Sequence, residues 1–169
     1  MQEWLNWPLS KSGKAQAFEG SNPSLSARNY VIRKQYAMTE TIFTKIINGD
    51  IPSHKVYEDE TVFAFLDIHP VNEGHVLVVP KVPVEFIWDL PANDYQALMA
   101  AVQKIGTHVR GVLQVPHVGV LVEGTGVPHA HVHIIPFVEG HELRREADIS
   151  IEPNHDALAA VAKKISLAS

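Results

Sequence analysis

The run His129-Ala130-His131-Val132-His133-Ile134-Ile135 constrains this chain more than any other stretch. Three imidazoles recur at a spacing of two, with apolar residues between and after them. Side chains alternate faces along a β-strand, so on a strand all three imidazoles share one face. Ala130, Val132 and Ile134 then point the other way, into a core. The segment must be buried on one side and chemically equipped on the other. Neutral imidazole transfers protons near neutral pH, attacks electrophilic centres and binds metals. Three readings are open: packed or exposed structural histidines, a metal site, or a nucleophile with neighbouring proton-handling groups. Residues i, i+2 and i+4 on a strand spread over about 13 Å, so three such ligands cannot converge on one ion without donors from elsewhere. A nucleophile and its helpers need only that span.

The surrounding pattern places this strand in an α+β chain. Ile42, Phe43, Ile46 and Ile47 form a short helical stripe, with Thr41 as a start signal and Asn48-Gly49 as a stop. Val56-Tyr57 and Thr61 to Leu66 read as strands around the turn Glu58-Asp59-Glu60. The turn Asn72-Glu73-Gly74 leads to the β-branched run His75 to Pro80, a buried strand. From Asn93 to Leu113, residues Leu98, Ala101, Val102, Ile105, Val109 and Val112 recur at helical spacing, with Asn93 as the expected N-cap. Val118 to Val122 and His129 to Phe137 read as strands joined by a short Gly-rich turn, and Asn154 to Leu167 as an amphipathic helix with Leu158, Val161, Ala162 and Ile165 inward. Most connections are too short for parallel crossovers, so an antiparallel sheet of about five strands flanked by helices is expected.

A chain of 169 residues can bury a core without disulfides, and this one has no cysteine. That excludes a disulfide framework, a thiolate metal site and a cysteine nucleophile. It fits a reducing compartment, so a cytoplasmic location is expected, and no apolar run approaches the ~20 residues needed to cross a bilayer. Residues 1–37 carry a balance of +3, leaving −8 for residues 38–169. So acidic a body is a poor binder of long nucleic acid, which needs clustered Lys and Arg. One small phosphorylated ligand needs only local donors.

Residues 1–37 lack sustained periodicity, and Glu19 to Ala27 is loop by its turn chemistry. The segment has no apolar stretch of a secretory signal, although its basic, acid-poor composition is shared with organelle-targeting segments. Gly20-Ser21-Asn22-Pro23 back-translates to GGTTCGAATCC, an arm of transfer-RNA genes, which points to Met38 as the natural start. We expect 1–37 to be a disordered extension without chemistry, and 38–169 to be the functional domain.

The histidine run with its two trailing aliphatics resembles the signature of the histidine triad (HIT) superfamily. The likeness extends to Ile42 through Pro52, to Phe63-Ala64-Phe65-Leu66-Asp67-Ile68-His69-Pro70 and to Gly74 through Lys81. It implies a HIT-like fold and a nucleotide hydrolase or transferase needing no metal or other cofactor. His131 would attack the α-phosphorus of an adenosine-type nucleotide, forming a nucleotidyl-histidine that water then hydrolyses to an AMP-like product. His133 and His129 would orient it and stabilise charge on the phosphate. Asp67 matches the carboxylate that binds ribose hydroxyls, and Ile42, Phe43, Phe65, Ile68 and Leu77 match positions that sandwich the base. By residue type alone these five read as core, and Asp67 as a turn former. His75 matches a neighbour of the active site. His54, His69, His108, His117, His141 and His155 are expected in surface or packing roles. The resemblance also implies a homodimer, with Asn93 to Leu113 and a sheet edge at the interface.

The chain departs from the family just before the triad. Many members end the preceding loop in Gly-Gln-x-Val-x-His, whose Gln and following Ser or Thr contact phosphate. Here Gly124 and Val127 align, but Thr125 stands for the Gln and Gly126 for the next residue, in a shortened loop. Thr125 and the amides of Gly124 and Gly126 are left as phosphate donors, since glycine allows close approach. Two other functions therefore stay open: a nucleotide-binding regulatory protein with little turnover, and a histidine metal-binding module.

Overall fold

The computed structural model describes residues 40–168. The expectations for residues 1–37, including a start at Met38, lie outside the described residues. Eight elements carry the fold: α1 (Ile42–Asn48), β1 (Lys55–Glu58), β2 (Val62–Leu66), β3 (Val76–Pro80), α2 (Ala92–Leu113), β4 (His117–Leu121), β5 (Val132–Phe137) and α3 (His155–Ile165). The strands form one sheet in the order β1-β2-β3-β5-β4, with every neighbouring pair antiparallel. The α+β architecture expected from the patterning is the observed one.

The period of two along each strand divides two apolar layers. Val62, Ala64 and Leu66 of β2, Val76 and Val78 of β3, and Val132 and Ile134 of β5 enter the main core. Leu98, Ala101, Val102, Ile105 and Val109 of α2 close over that face, joined by Leu158, Ala162 and Ile165 of α3. Phe63 and Phe65 of β2 and Leu77 and Val79 of β3 point to the other face, where Phe43 and Ile46 of α1 meet them. Both faces of β2 and β3 are thus covered, which is why these strands read as continuous apolar runs. Each fully buried Val, Leu or Ile contributes roughly 1.5–3 kcal/mol relative to an exposed one.

Local chemistry sets the element ends. Thr41 and Thr44 form a capping box at the start of α1, and Gly49 ends the helix at φ 84°. Asp59 Oδ1 accepts from the N–H groups of Thr61 and Val62, closing the turn between β1 and β2. Asn154 caps α3 by accepting from the Ala157 N–H. One expectation is corrected: Asn93 does not cap α2. That helix begins at Ala92 after Pro91, which has no cap hydrogen bond, and Asn93 is its second residue. Proline's fixed φ and missing N–H suit a helix boundary.

Gly74 couples the fold to the site, because its turn delivers His75. Its φ of 82° lies in the left-handed region, and an added Cβ would sit 2.5 Å from Leu113 Cδ1 and 3.3 Å from Pro136 Cγ. Gly74→Ala is expected to cost about 2–3 kcal/mol, from backbone strain plus overpacking. Urea unfolding measures this, and an unchanged midpoint would refute it.

Candidate active site

The histidine run sits on the sheet face covered by α1. His133 is the second residue of β5 and lies opposite Leu77 of β3, which in turn lies opposite Phe65 of β2. The expected strand over His129 to Phe137 is corrected, since β5 starts at Val132. His129 and His131 lie in the segment leading to it, where the Ala130 N–H bonds to the Val84 carbonyl at 2.6 Å instead of to a strand. The alternation of sides nevertheless survives. Ala130 enters the main core, while the Phe43 ring meets His131 edge-on at 5.3 Å and His129 at 5.9 Å. The His131 and His133 rings lie 5.0 Å apart.

Fixed donors and acceptors decide where the imidazole protons sit, because an amide can only donate and a carbonyl can only accept. His131 Nδ1 lies 2.7 Å from the His129 carbonyl, so Nδ1–H donates and the neutral ring keeps its lone pair on Nε2. His129 is fully buried, and its Nε2–H donates to the Pro80 carbonyl at 2.8 Å. Its Nδ1 therefore accepts from the Thr41 hydroxyl at 3.2 Å. Both ring nitrogens of His129 are engaged, which leaves neither for the phosphate contact that the resemblance implies. On the other flank, the Val71 N–H donates to His75 Nδ1 at 3.2 Å, so His75 carries its proton on Nε2 and donates to His133 Nδ1 at 2.9 Å. The remaining proton of neutral His133 is then on Nε2, a donor beside the bare nitrogen of His131.

Burial favours the neutral form of His75, His129 and His133. Desolvation holds His75 down to about 4. His133 is also lowered to about 4, mainly by burial and further by His75 and His131, with Asp67 and Glu123 opposing. Burial lowers His129 as well. A neutral imidazole is the form that can act as nucleophile or donate from one defined nitrogen.

The other expected site residues separate by exposure. Phe43, Phe65 and Leu77 are buried in the second apolar layer, with Val127 packed against it. Ile42 and Ile68 are 49% and 45% exposed, so these two present free apolar surface. Asp67 follows β2 half-buried, with Oδ1 accepting from the His69 N–H at 2.9 Å and Oδ2 at 3.8 Å from His75 Nδ1. In the turn before the triad, Gly124 and Gly126 have φ of 70° and 80°, and the exposed Thr125 hydroxyl donates to Glu123 at 3.3 Å.

Three features escaped the sequence reading. Thr41 was recognised only as a helix cap, although its hydroxyl reaches His129. Phe86 and Trp88, 42% and 77% exposed, line a small cavity with His131, Glu123 and Gly124. Asp67, His75 and His133 also bring possible ligand atoms within 4.8 Å of one another. In that group His75 and His133 are bonded to each other, so an ion between them would have to displace that hydrogen bond. No local periodicity signals any of these contacts.

The site thus presents an imidazole with Nε2 bare, flanked by a second imidazole donor, on one face of an antiparallel sheet. The chain belongs to the histidine triad family: the HIT domain model matches residues 48–140. It is 44% identical over 100 residues to the protein hit of Bacillus subtilis, covering 56% of this chain and 69% of that one. It is 39% identical over 103 residues to the adenosine 5'-monophosphoramidase HNT1 of Saccharomyces cerevisiae, covering 56% of this chain and 61% of that one. Among solved structures it resembles a Hit-like protein from Bartonella henselae at TM-score 0.66 and 37% identity, covering 76% of this chain and 95% of that one. Family and intact triad together make the chain a nucleotide-acting enzyme.

Proposed function

We propose that this enzyme cleaves at the α-phosphorus of an adenosine-type nucleotide, with His131 as the nucleophile. The observation that carries the proposal is the 2.7 Å bond from His131 Nδ1 to the His129 carbonyl, which leaves Nε2 with a free lone pair. In the first step the Nε2–phosphorus bond forms, and the bond from phosphorus to the leaving group breaks with its electron pair as the leaving group takes a proton from solvent. In the second step water attacks phosphorus and gives a proton back to solvent, and the pair of the phosphorus–nitrogen bond returns to Nε2. If an alcohol or amine takes the place of water, the same intermediate gives transfer. The His133 Nε2–H donates to the phosphoryl oxygen as negative charge develops there. His75 keeps that donor aimed by holding His133 Nδ1. Thr125 and the Gly124 and Gly126 amides complete the phosphate site, and Ile42 and Ile68 hold the base over the Phe43, Phe65 and Leu77 layer.

Candidate substrates are nucleoside phosphoramidates, aminoacyl adenylates and dinucleoside polyphosphates. The activity named for the yeast relative puts phosphoramidates first. The chemistry routes no step through a metal. Incubation with a fluorogenic adenosine phosphoramidate and with diadenosine tetraphosphate, each with and without chelator, tests the proposal. Chelator-sensitive turnover would instead make Asp67, His75 and His133 a metal site. The short turn at Glu123 to Val127, with Thr125 bonded to Glu123, favours a second reading, a nucleotide-binding protein with little turnover. AMP binding without consumption of either substrate would select it.

Asp67 Oδ2 is assigned to the ribose hydroxyls. Asp67→Ala is expected to weaken AMP binding about tenfold, the scale of one or two charge-assisted hydrogen bonds, with little loss for the 2′,3′-dideoxy analogue. Calorimetric titration measures both, and equal losses would refute the assignment. We also propose a homodimer in which α2 and β4 meet a second copy. β4 is a sheet edge with Val120 and Leu121 exposed, and open edges pair readily.

A further inference from the structure

Thr41 and His129 stand 88 positions apart, yet their side chains meet at 3.2 Å in a site where they are 5% and 0% exposed. A helix cap has no need of this contact. The cap itself is satisfied by the Thr44 N–H, which donates to Thr41 Oγ1 at 3.2 Å, and by the Thr41 N–H, which donates to Thr44 Oγ1 at 2.9 Å. The Thr41 hydroxyl has one proton left to place. His129 Nδ1 is its acceptor, since His129 Nε2–H is committed to the Pro80 carbonyl. The His129 ring is thereby held between the start of α1 and the end of β3. Its own carbonyl holds His131 Nδ1. A shift of the His129 ring moves that carbonyl and frees His131 to rotate or to exchange tautomers.

We propose that Thr41 is a positioning residue for the nucleophile, acting through His129. Its hydroxyl locks the His129 ring, and the His129 carbonyl keeps the His131 lone pair on Nε2. His129, the triad member with no free nitrogen, thus serves as the anchor between helix cap and nucleophile. This inference rests on His131 being the nucleophile, as proposed above.

Three variants and a spectroscopic readout test it. Thr41→Val keeps the branched shape and removes the hydroxyl. Thr41→Ser keeps the hydroxyl, and Thr44→Ala breaks the capping box while leaving the Thr41 hydroxyl in place. With an adenosine phosphoramidate, Thr41→Val is expected to lower kcat about 10- to 100-fold with KM nearly unchanged, the scale of a misplaced reacting group. Thr41→Ser should recover most of that loss, and Thr44→Ala should lower Tm but not kcat. Nitrogen-15 spectra of the imidazoles should show His129 as the Nε2–H tautomer and His131 as the Nδ1–H tautomer in the wild type, with mixed tautomers at both in Thr41→Val. Unchanged kcat and tautomers in Thr41→Val, or an equal kcat loss in Thr44→Ala, would overturn the proposal. The wild-type spectrum decides even if Thr41→Val fails to fold, because the opposite tautomer at either ring overturns it. Absence of wild-type turnover would defeat the enzymatic reading instead, while the spectra would still report whether Thr41 sets the two tautomers.

Discussion

Replacing His131 with asparagine is expected to abolish turnover of an adenosine phosphoramidate, by ~10³-fold or more in kcat, the scale seen when a covalent nucleophile is removed. Asparagine retains a polar side chain of similar reach, but its amide nitrogen has no lone pair available for attack on phosphorus. The fold should persist, because the ring makes one hydrogen bond, to the neighbouring His129 carbonyl, and edge contacts with Phe43 and His133. AMP should still bind, since His133, Asp67 and the Gly124–Gly126 turn remain. The decisive measurement is a rapid quench with nucleotide labelled at the α-phosphorus. The wild type should carry the label on protein in an acid-labile, base-stable bond, as expected of a phosphorus–nitrogen linkage to histidine, and His131→Asn should carry none. Label on the variant at wild-type level would place the nucleophile elsewhere.

Acid should destabilise this fold well before its carboxylates protonate. His75 and His133 are held to about 4 in the native state, and His129 is also lowered, in each case chiefly by burial. In the unfolded chain the same groups titrate near 6.5. Between these values the unfolded state binds protons that the native state refuses, so stability is complete above about pH 6.5 and falls as pH drops towards 4. One imidazole shifted this far accounts for about 3 kcal/mol across the window. His75 and His133 share a hydrogen bond and titrate as a pair, and even one such contribution is a large part of the 5–15 kcal/mol typical of a domain. Urea midpoints measured from pH 7.5 to pH 4 should fall steadily below pH 6.5. His75→Gln, whose amide can accept from Val71 and donate to His133, should reduce that slope. A midpoint constant down to pH 4 would show that these rings do not stay neutral in the native state.

The architecture was legible because burial leaves periodic marks. Continuous apolar runs announced β2 and β3, whose two faces are both covered, and the stripe from Leu98 to Val109 announced α2. Helix ends were harder. Asn93 has the right residue type for a cap, but Pro91 already supplies a suitable boundary one residue before Ala92. The start of β5 was misplaced for a different reason. His129 and His131 keep the alternation of a strand, yet the Ala130 amide is drawn to Val84, and only the three-dimensional path of that loop reveals it.

Much of the candidate site was visible as an inventory of residues, and much less as a set of roles. The spacing of the three histidines left three readings open, and the resemblance to the histidine triad family implied nucleotide chemistry centred on His131, with Asp67 and the apolar residues around it at the nucleotide. It gave His129 the same standing as His133. The two separate only when the Pro80 carbonyl and the Thr41 hydroxyl occupy both nitrogens of one ring, while the Val71 amide, acting through His75, leaves the other with an outward donor.

The amino-acid order by itself determined which segments become strands and helices, which face of each is apolar, and that three imidazoles share one side, because these properties follow from the period of a local backbone. Tertiary structure alone decided that both nitrogens of His129 are spoken for and that His133 keeps its proton on Nε2, whereas the bare Nε2 of His131 follows from a carbonyl two residues away. A proton's place on imidazole is set by the nearest fixed donor or acceptor, and for His129 and His133 those partners arrive from 49, 58 and 88 positions away.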